Sequence, residues 1–240
     1  TAAGTVERTP LGATAGRVTY GLSADGGLGS ILVGDRELLA EPVRLAMWRA
    51  PIDNDGPSVG PGISAPFARP GWLAAGLDRL RPELVGAASR RRGDEVRLVS
   101  RWRWHGDGHV IEHRQTATVL PTGAAVIDED VRVPSELEDL PRVGVRFALA
   151  SGHDRLRWFG PGPHETYADR CSGAVERTWA STVAEQDVPY VFPQHHGTHV
   201  HTRWCTLTDR RGRGVRIQLD GLAFDASHHR VEDLTAATTI

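Results

Sequence analysis

The residues best placed to do chemistry lie in one run, Trp158-Phe159-Gly160-Pro161-Gly162-Pro163-His164-Glu165-Thr166-Tyr167-Ala168-Asp169-Arg170. His164 and Glu165 are adjacent at its apex, and their types can supply a general base and a general acid. Adjacency does not create the hydrogen-bond geometry that proton transfer demands, so a structural role is the stronger expectation. In that role Glu165 pairs with Arg170 or Arg157, and Tyr167 and Asp169 fix the loop by hydrogen bonds. A second set, Asp53-Asn54-Asp55, follows Pro51 closely and could hold sugar hydroxyls or a cation. Asp and Asn also bond nearby backbone amides, which makes a turn the first expectation and a cleft-facing or domain-interface role the second. The third set is histidine: His195, His196, His199 and His201, with His228 and His229 further on. A zinc site normally takes three or four convergent ligands. A strand would align only His199 with His201, and Cys205 completes the set poorly, so these side chains are expected to be solvated or hydrogen-bonded.

The elements that must hold these groups are strands and rigid turns. Alternating Gly and Pro fixes the path of the 160–163 loop before any side chain acts. Period-2 alternation predicts a strand over 95–105, with Val96, Leu98, Trp102 and Trp104 on one face and Arg97, Arg101, Arg103 and His105 on the other. The same pattern groups Ile111, Ala117 and Val119, and then Ala125, Ile127, Val131 and Val133 after the Pro121-Thr122-Gly123 turn. It also groups Val143, Val145, Phe147 and Leu149, and Val200, Trp204 and Thr206 against His199, His201 and Cys205. Val215, Ile217 and Leu219 then precede Leu222 and Phe224. Many strands with short turns and no convincing amphipathic helix predict an all-β fold, a large antiparallel β-sandwich, read as a single domain over 1–240. The stretch from Asp53 to Trp72 is predicted to be a long irregular loop of the kind that often serves function. By parity most of the seven tryptophans are core anchors, with Trp48 and Trp158 the better candidates for a loop or cleft.

The run from Trp158 to Arg170 resembles the Trp-x-Gly-x-Gly-Pro-x-Glu-x-Tyr-x-Asp-Arg signature of the C-terminal "small chain" domain of the large lactose-hydrolysing β-galactosidases, glycoside hydrolase family 2. Two further segments match that domain in the same order: Arg49-Ala50-Pro51-Ile52-Asp53-Asn54-Asp55 upstream and Pro189-Tyr190-Val191-Phe192-Pro193 downstream. The similarity covers roughly Gly16 to Leu234, with boundaries good to a few residues. It implies a galactose-mutarotase-like supersandwich in an enzyme whose two catalytic glutamates lie in a separate (β/α)₈ barrel. No segment here resembles that barrel, so the resemblance implies an inactive chain when isolated. It also implies a barrel partner in the same or another chain, a galactoside substrate and a homo-oligomeric parent. Mg and Na would be bound by other domains of the parent, with no cofactor in this chain. Candidate cleft or loop-organising residues are Arg49, Asp53, Asn54, Asp55, Trp158, His164, Glu165, Tyr167 and Arg170. Gly76 joins them because Gly71-Trp72-Leu73-Ala74-Ala75-Gly76 looks like a family segment near the active-site mouth. In the family the domain continues past the equivalent of Thr235, so the resemblance implies either a chain cut short at Ile240 or a sequence that diverges there.

Two other functions compete with an accessory role: a stand-alone mutarotase-like epimerase using His164 and Glu165, and a carbohydrate-binding module. The 240 residues suffice for a large core, and 40% hydrophobic with 24% charged residues is ordinary globular composition. A net charge of −2 provides no global field for nucleic acid or an anionic membrane. All 28 basic residues are arginine, which fits the codon bias of a GC-rich genome better than a function. Cys171 and Cys205 are too few for a disulfide scaffold, and no apolar run reaches the ~20 residues that span a bilayer, so the cytoplasm is the expected location. The first residue is Thr, as expected of a fragment, a processed chain or an expressed domain.

Overall fold

The computed structural model describes residues 5–56 and 68–237. Two compact units divide the chain, Thr1–Trp48 with Ile63–Ala150 and Arg49–Gly62 with Ser151–Ile240. The first unit contains β1 (Val6–Thr9), β2 (Gly12–Ala15), β3 (Val18–Leu22), β4 (Leu28–Val33), β5 (Arg36–Glu37), β6 (Leu39–Ala46), helix α1 (Ala68–Ala74), β7 (Arg81–Arg92), β8 (Glu95–His105), β9 (Val110–Val119), β10 (Ala125–Arg132) and β11 (Gly144–Leu149). Its seven-stranded sheet runs β1-β2-β3-β4-β6-β11 with β5 on β4, and its four-stranded sheet runs β10-β9-β8-β7. Every strand pairing is antiparallel, as the short turns dictate.

The two sheets share one core. Val6, Ala13, Tyr20, Leu28 and Val43 of the larger sheet meet Val96, Leu98, Ala117 and Val119 of the smaller. The alternation predicted for β8 is present: Val96, Leu98 and Trp102 are buried while Arg101 and Arg103 are exposed. Each such aliphatic side chain contributes roughly 1.5–3 kcal/mol by leaving water. The apolar stripe also carries polar groups that the alternation did not flag. Gln115 accepts from Leu28 N–H at 3.2 Å and donates to Glu129 at 2.8 Å, and His113 stacks on Trp102 at 4.8 Å between ring centroids.

Three expectations are corrected. Ile127 on β10 and Val143 and Val145 at β11 are exposed rather than inward, because both strands end their sheets and a register shift interrupts β11 near Arg146. The stretch from Asp53 to Trp72 is not uniformly irregular: a 3₁₀ turn forms at Asp53–Asp55 and α1 buries Trp72, while residues 57–67 lie outside the described residues. The third correction concerns the second unit.

That unit holds β12 (Arg155–Gly160), β13 (Arg177–Thr182), β14 (Trp204–Thr208), β15 (Gly214–Gln218) and α2 (Val231–Ala236), with sheet order β13-β12-β14-β15. Its core is Leu156, Trp158 and Cys205, against Trp179, Ile217 and Phe224. Near β14 the burial is opposite to the predicted parity: Cys205 and His199 point inward, and Trp204 faces outward. The reason is pairing. Trp204 lies directly opposite Phe159 on the outer face, which leaves Cys205 beside the buried Trp158. Both cysteines are free thiols, and burial pushes the Cys205 thiol up to about 12.

Candidate functional site

All three motif segments belong to the second unit. β12 delivers the chain into the Gly/Pro loop, and two indoles fix its start. Trp158 Nε1 donates to Pro161 O at 3.0 Å, and Trp179 Nε1 lies 3.2 Å from both Gly160 O and Val175 O. Gly162 is required by close approach, since a Cβ there would meet Trp179 Nε1 at 2.7 Å. Its bond to Pro163 is cis. Past the apex, Thr166 is sewn to a neighbouring segment: its N–H donates to Thr198 O at 2.7 Å, and its hydroxyl accepts from Val200 N–H at 3.0 Å. Tyr167 and Arg170 close a tight turn through their own backbone groups.

This path brings Glu165 to the centre of a donor cage. Its side chain is only 8% exposed. Oε2 accepts from Gly197 N–H at 2.8 Å and from the Tyr167 hydroxyl at 3.4 Å, while Oε1 accepts from the Tyr190 hydroxyl and from Arg170 Nη2. Burial pushes the carboxyl pKa up, but the Tyr190, Gly197 and Arg170 donors outweigh it, and the net effect holds Glu165 below its ordinary value of 4.5. Burial, reinforced by the Glu165 charge, pushes the Tyr167 phenol up to about 12. The Tyr190 phenol is raised too, by burial and by its bond to Glu165. A fully ionised carboxylate holding four donors is a poor base and has no proton to give near neutrality. What it does well is join the Gly/Pro loop to the Pro189–Pro193 segment.

The upstream motif forms a second clamp. Arg49 grips Asp55 with two parallel bonds of 2.5 and 2.8 Å, and Asp55 also accepts from Ile52 N–H at 2.8 Å. Asp53 and Asn54 are exposed, and Asp53 N–H donates to Gln194 Oε1 at 3.3 Å, tying this turn to the segment after Pro193. The predicted turn is therefore present, and two of its three polar side chains face solvent.

His164 is exposed, and no hydrogen bond joins it to Glu165, so the two do not form an acid/base pair. Trp158 organises the loop from within the core, 1% exposed, and does not line a cleft. Gly76 lies in the first unit with left-handed φ of 69°, and a Cβ there would come within 3.0 Å of Asp107. Sequence reading missed the Gly197 N–H, a backbone donor that no residue type announces, and named Tyr190 only as part of a motif.

His195, His196 and His199 are hydrogen-bonded, as expected. His199 is fully buried, 4.3 Å from Trp158 and 5.2 Å from Phe224 between ring centroids, with Nε2 at 2.7 Å from Gln186 Oε1. Burial pushes its pKa down to about 4, so it is neutral at physiological pH. His195 meets Thr198 at 2.8 Å, and His196 meets Asp187 at 2.9 Å. Among the described residues no three His, Cys, Asp or Glu side chains converge on a point where a metal ion would fit. No helix among them is long and apolar enough to cross a membrane.

Comparison with known proteins agrees with the motif geometry. The sequence profile of the family described as β-galactosidase small chain matches residues 15–239. A β-galactosidase of Bifidobacterium adolescentis, BgaC, is 30% identical over 209 residues, 85% of this chain and 19% of the relative. The β-galactosidase of Vibrio cholerae is 33% identical over 168 residues, 69% of this chain and 16% of its own length. That of Arthrobacter sp. strain B7 is 35% identical over 192 residues, 74% of this chain and 18% of its own. The chain thus spans less than a fifth of the length of these relatives. With its three motif segments in one unit and a profile match over most of its length, the chain belongs to the β-galactosidase small-chain family.

Proposed function

We propose that the chain is a noncatalytic domain of a β-galactosidase that hydrolyses terminal β-D-galactosides such as lactose. The observation that supports this most is the state of the buried motif carboxylates. Retaining glycoside hydrolysis takes two carboxyl groups about 5 Å apart, one available to protonate the leaving oxygen and the other to attack the sugar. Glu165 is held by four donors and Asp55 by Arg49 and Ile52 N–H, so both act as structural anions. On this reading the catalytic pair belongs to a barrel in the same polypeptide or a partner chain. The small-chain domain supplies a rigid wall, with the exposed Asp53 and Asn54 available to face the sugar. The domain also contributes subunit contacts of a homo-oligomer, while the Mg and Na sites belong to the remainder.

Hydrolysis of a chromogenic β-galactoside by the purified chain tests this. Turnover at the uncatalysed level is expected, and galactose anomer exchange likewise, because His164 and Glu165 are not paired. Hydrolysis that follows the chain through successive purification steps, and is lost in Glu165→Gln or Asp53→Asn, overturns the proposal.

A further inference from the structure

The sheet β13-β12-β14-β15 turns one face to its own core and leaves the other outward. Outward on β12 are Arg155, Arg157 and Phe159, and Trp204 stands opposite Phe159 on β14. Arg216 on β15 sets its guanidinium carbon 4.4 Å from the Trp204 ring centroid. The other outward positions of the four strands are Thr, Ala, Gly and Gln, so the face carries three positive charges and no carboxylate. Elsewhere in the same unit three arginines are matched, Arg49 to Asp55, Arg170 to Glu165, and Arg213 to Asp209, and the outward sheet face is where three unmatched ones stand together. In the first unit an outward row even alternates in sign, Glu83, Arg103, Glu112 and Arg132 standing opposite one another in turn. Arg155, Arg157 and Arg216 have no ion-pair partner among the described residues. Arginine with half-buried Trp and Phe is the composition of a protein interface core, and unmatched like charges fix what must come opposite.

We propose that this face docks an acidic, Asp- and Glu-bearing protein surface belonging to the part of a β-galactosidase polypeptide outside this chain, an assignment that rests on the function proposed above. Two observations favour this occupant. The relatives extend the matched region about fivefold, so a large partner surface exists in them. A second copy of the same face would set three arginines against three, which repels. A long polyanion fits less well, because the chain carries net −2 and its other sheet face mixes both signs.

Arginine-specific labelling with phenylglyoxal, read by mass spectrometry, locates the surface. In the isolated chain Arg155, Arg157 and Arg216 should react readily, and in the full-length polypeptide carrying this sequence they should react at least about tenfold more slowly, as for side chains buried in an interface. Equal labelling in both forms overturns the proposal. If that polypeptide hydrolyses galactosides while labelling is equal, only the docking face is wrong; if it does not hydrolyse them, the proposed function fails instead. A capped hexaglutamate peptide probes the chemistry. It should perturb amide NMR signals of β12, β14 and β15, weakening on the order of tenfold between low and physiological salt. The triple variant R155E/R157E/R216E should abolish binding, and Arg157→Gln, which puts no new charge on the sheet, should weaken it. Unchanged binding by both variants refutes the assignment, as does perturbation elsewhere. Tighter binding of a dT12 oligonucleotide reassigns the face to nucleic acid, and a dimer lost in the triple variant reassigns it to self-association.

Discussion

At the scale of single residues, the candidate site is decided by what Glu165 accepts rather than by what it could donate. Four donors converge on one carboxylate from three places in the chain, the loop itself, Tyr190 and Gly197. Glu165→Ala should therefore lower unfolding free energy by about 2–3 kcal/mol, because a charged acceptor is removed and its donors are left partly unpaired. Glu165→Gln keeps one acceptor oxygen and should cost about 1–2 kcal/mol. Urea unfolding with an unchanged slope checks both values. The pH dependence has a definite sign. The folded-state pKa of Glu165 lies below its unfolded value near 4.5, so its contribution is full above that pH and is lost as pH falls through the folded pKa. His199 acts in a higher window. Its folded pKa of about 4 lies below 6.5, so stability falls from pH 6.5 towards 4 as the unfolded imidazole takes up its proton first. Glu165→Gln should flatten only the part of the acid limb below about pH 4.5. A limb that keeps its full steepness there would show that Glu165 does not hold the loop.

Elements explain why much of the site was legible and why some of it was not. The Gly/Pro run named its own loop, and Asp53-Asn54-Asp55 named its own turn, because backbone restriction and side-chain capping act within a few residues. The β8 alternation was legible because Val96, Leu98, Trp102 and Trp104 alternate with Arg97, Arg101 and Arg103, and only Val99 and Ser100 depart from the pattern. β14 was read with the wrong face inward, since a tryptophan that meets Phe159 and an arginine outside looks the same in sequence as one that meets a core. Likewise the buried His113, Gln115 and His199 need partners distant in sequence, and no local pattern reports them. The rigidity of the loop itself can be tested at Gly162, where an added methyl would overlap Trp179 and lie 3.1 Å from Trp158. Gly162→Ala should destabilise the chain by about 1–3 kcal/mol through forced movement of these indoles. Near-UV circular dichroism should change with it. Gly173→Ala, where a Cβ meets nothing within 4 Å, should stay within about 0.5 kcal/mol of the parent and leave that spectrum alone. Similar losses in both variants would mean that loop entropy, rather than the indole contact, sets the loop's stability.

On the scale of the whole molecule, the chain carries little net charge and its first-unit sheets end openly. A formal charge of −2 and an isoelectric point near 6.6 leave weak electrostatic repulsion between copies in that pH range. Among the described residues β11 pairs only with β6, and Val143 and Val145 are 56% and 43% exposed beside its other edge; Val126 and Ile127 of β10 are exposed as well. Open edges with apolar side chains and no lysine are templates for another strand, the arrangement that proteins usually blunt with charge. An isolated domain with such edges should therefore self-associate reversibly, most strongly near pH 6.6, as sedimentation velocity over a concentration series would show. Val145→Lys should shift that series towards monomer, because an inserted ammonium cannot be covered by a second strand without losing its water. Leu222 is 67% exposed in a turn of the second unit, so it controls for apolar exposure alone. If Leu222→Lys restores the monomer as well as Val145→Lys does, general hydrophobic contact rather than edge pairing joins the copies. If only Val145→Lys does so, the β11 edge is the surface that a longer polypeptide must keep covered.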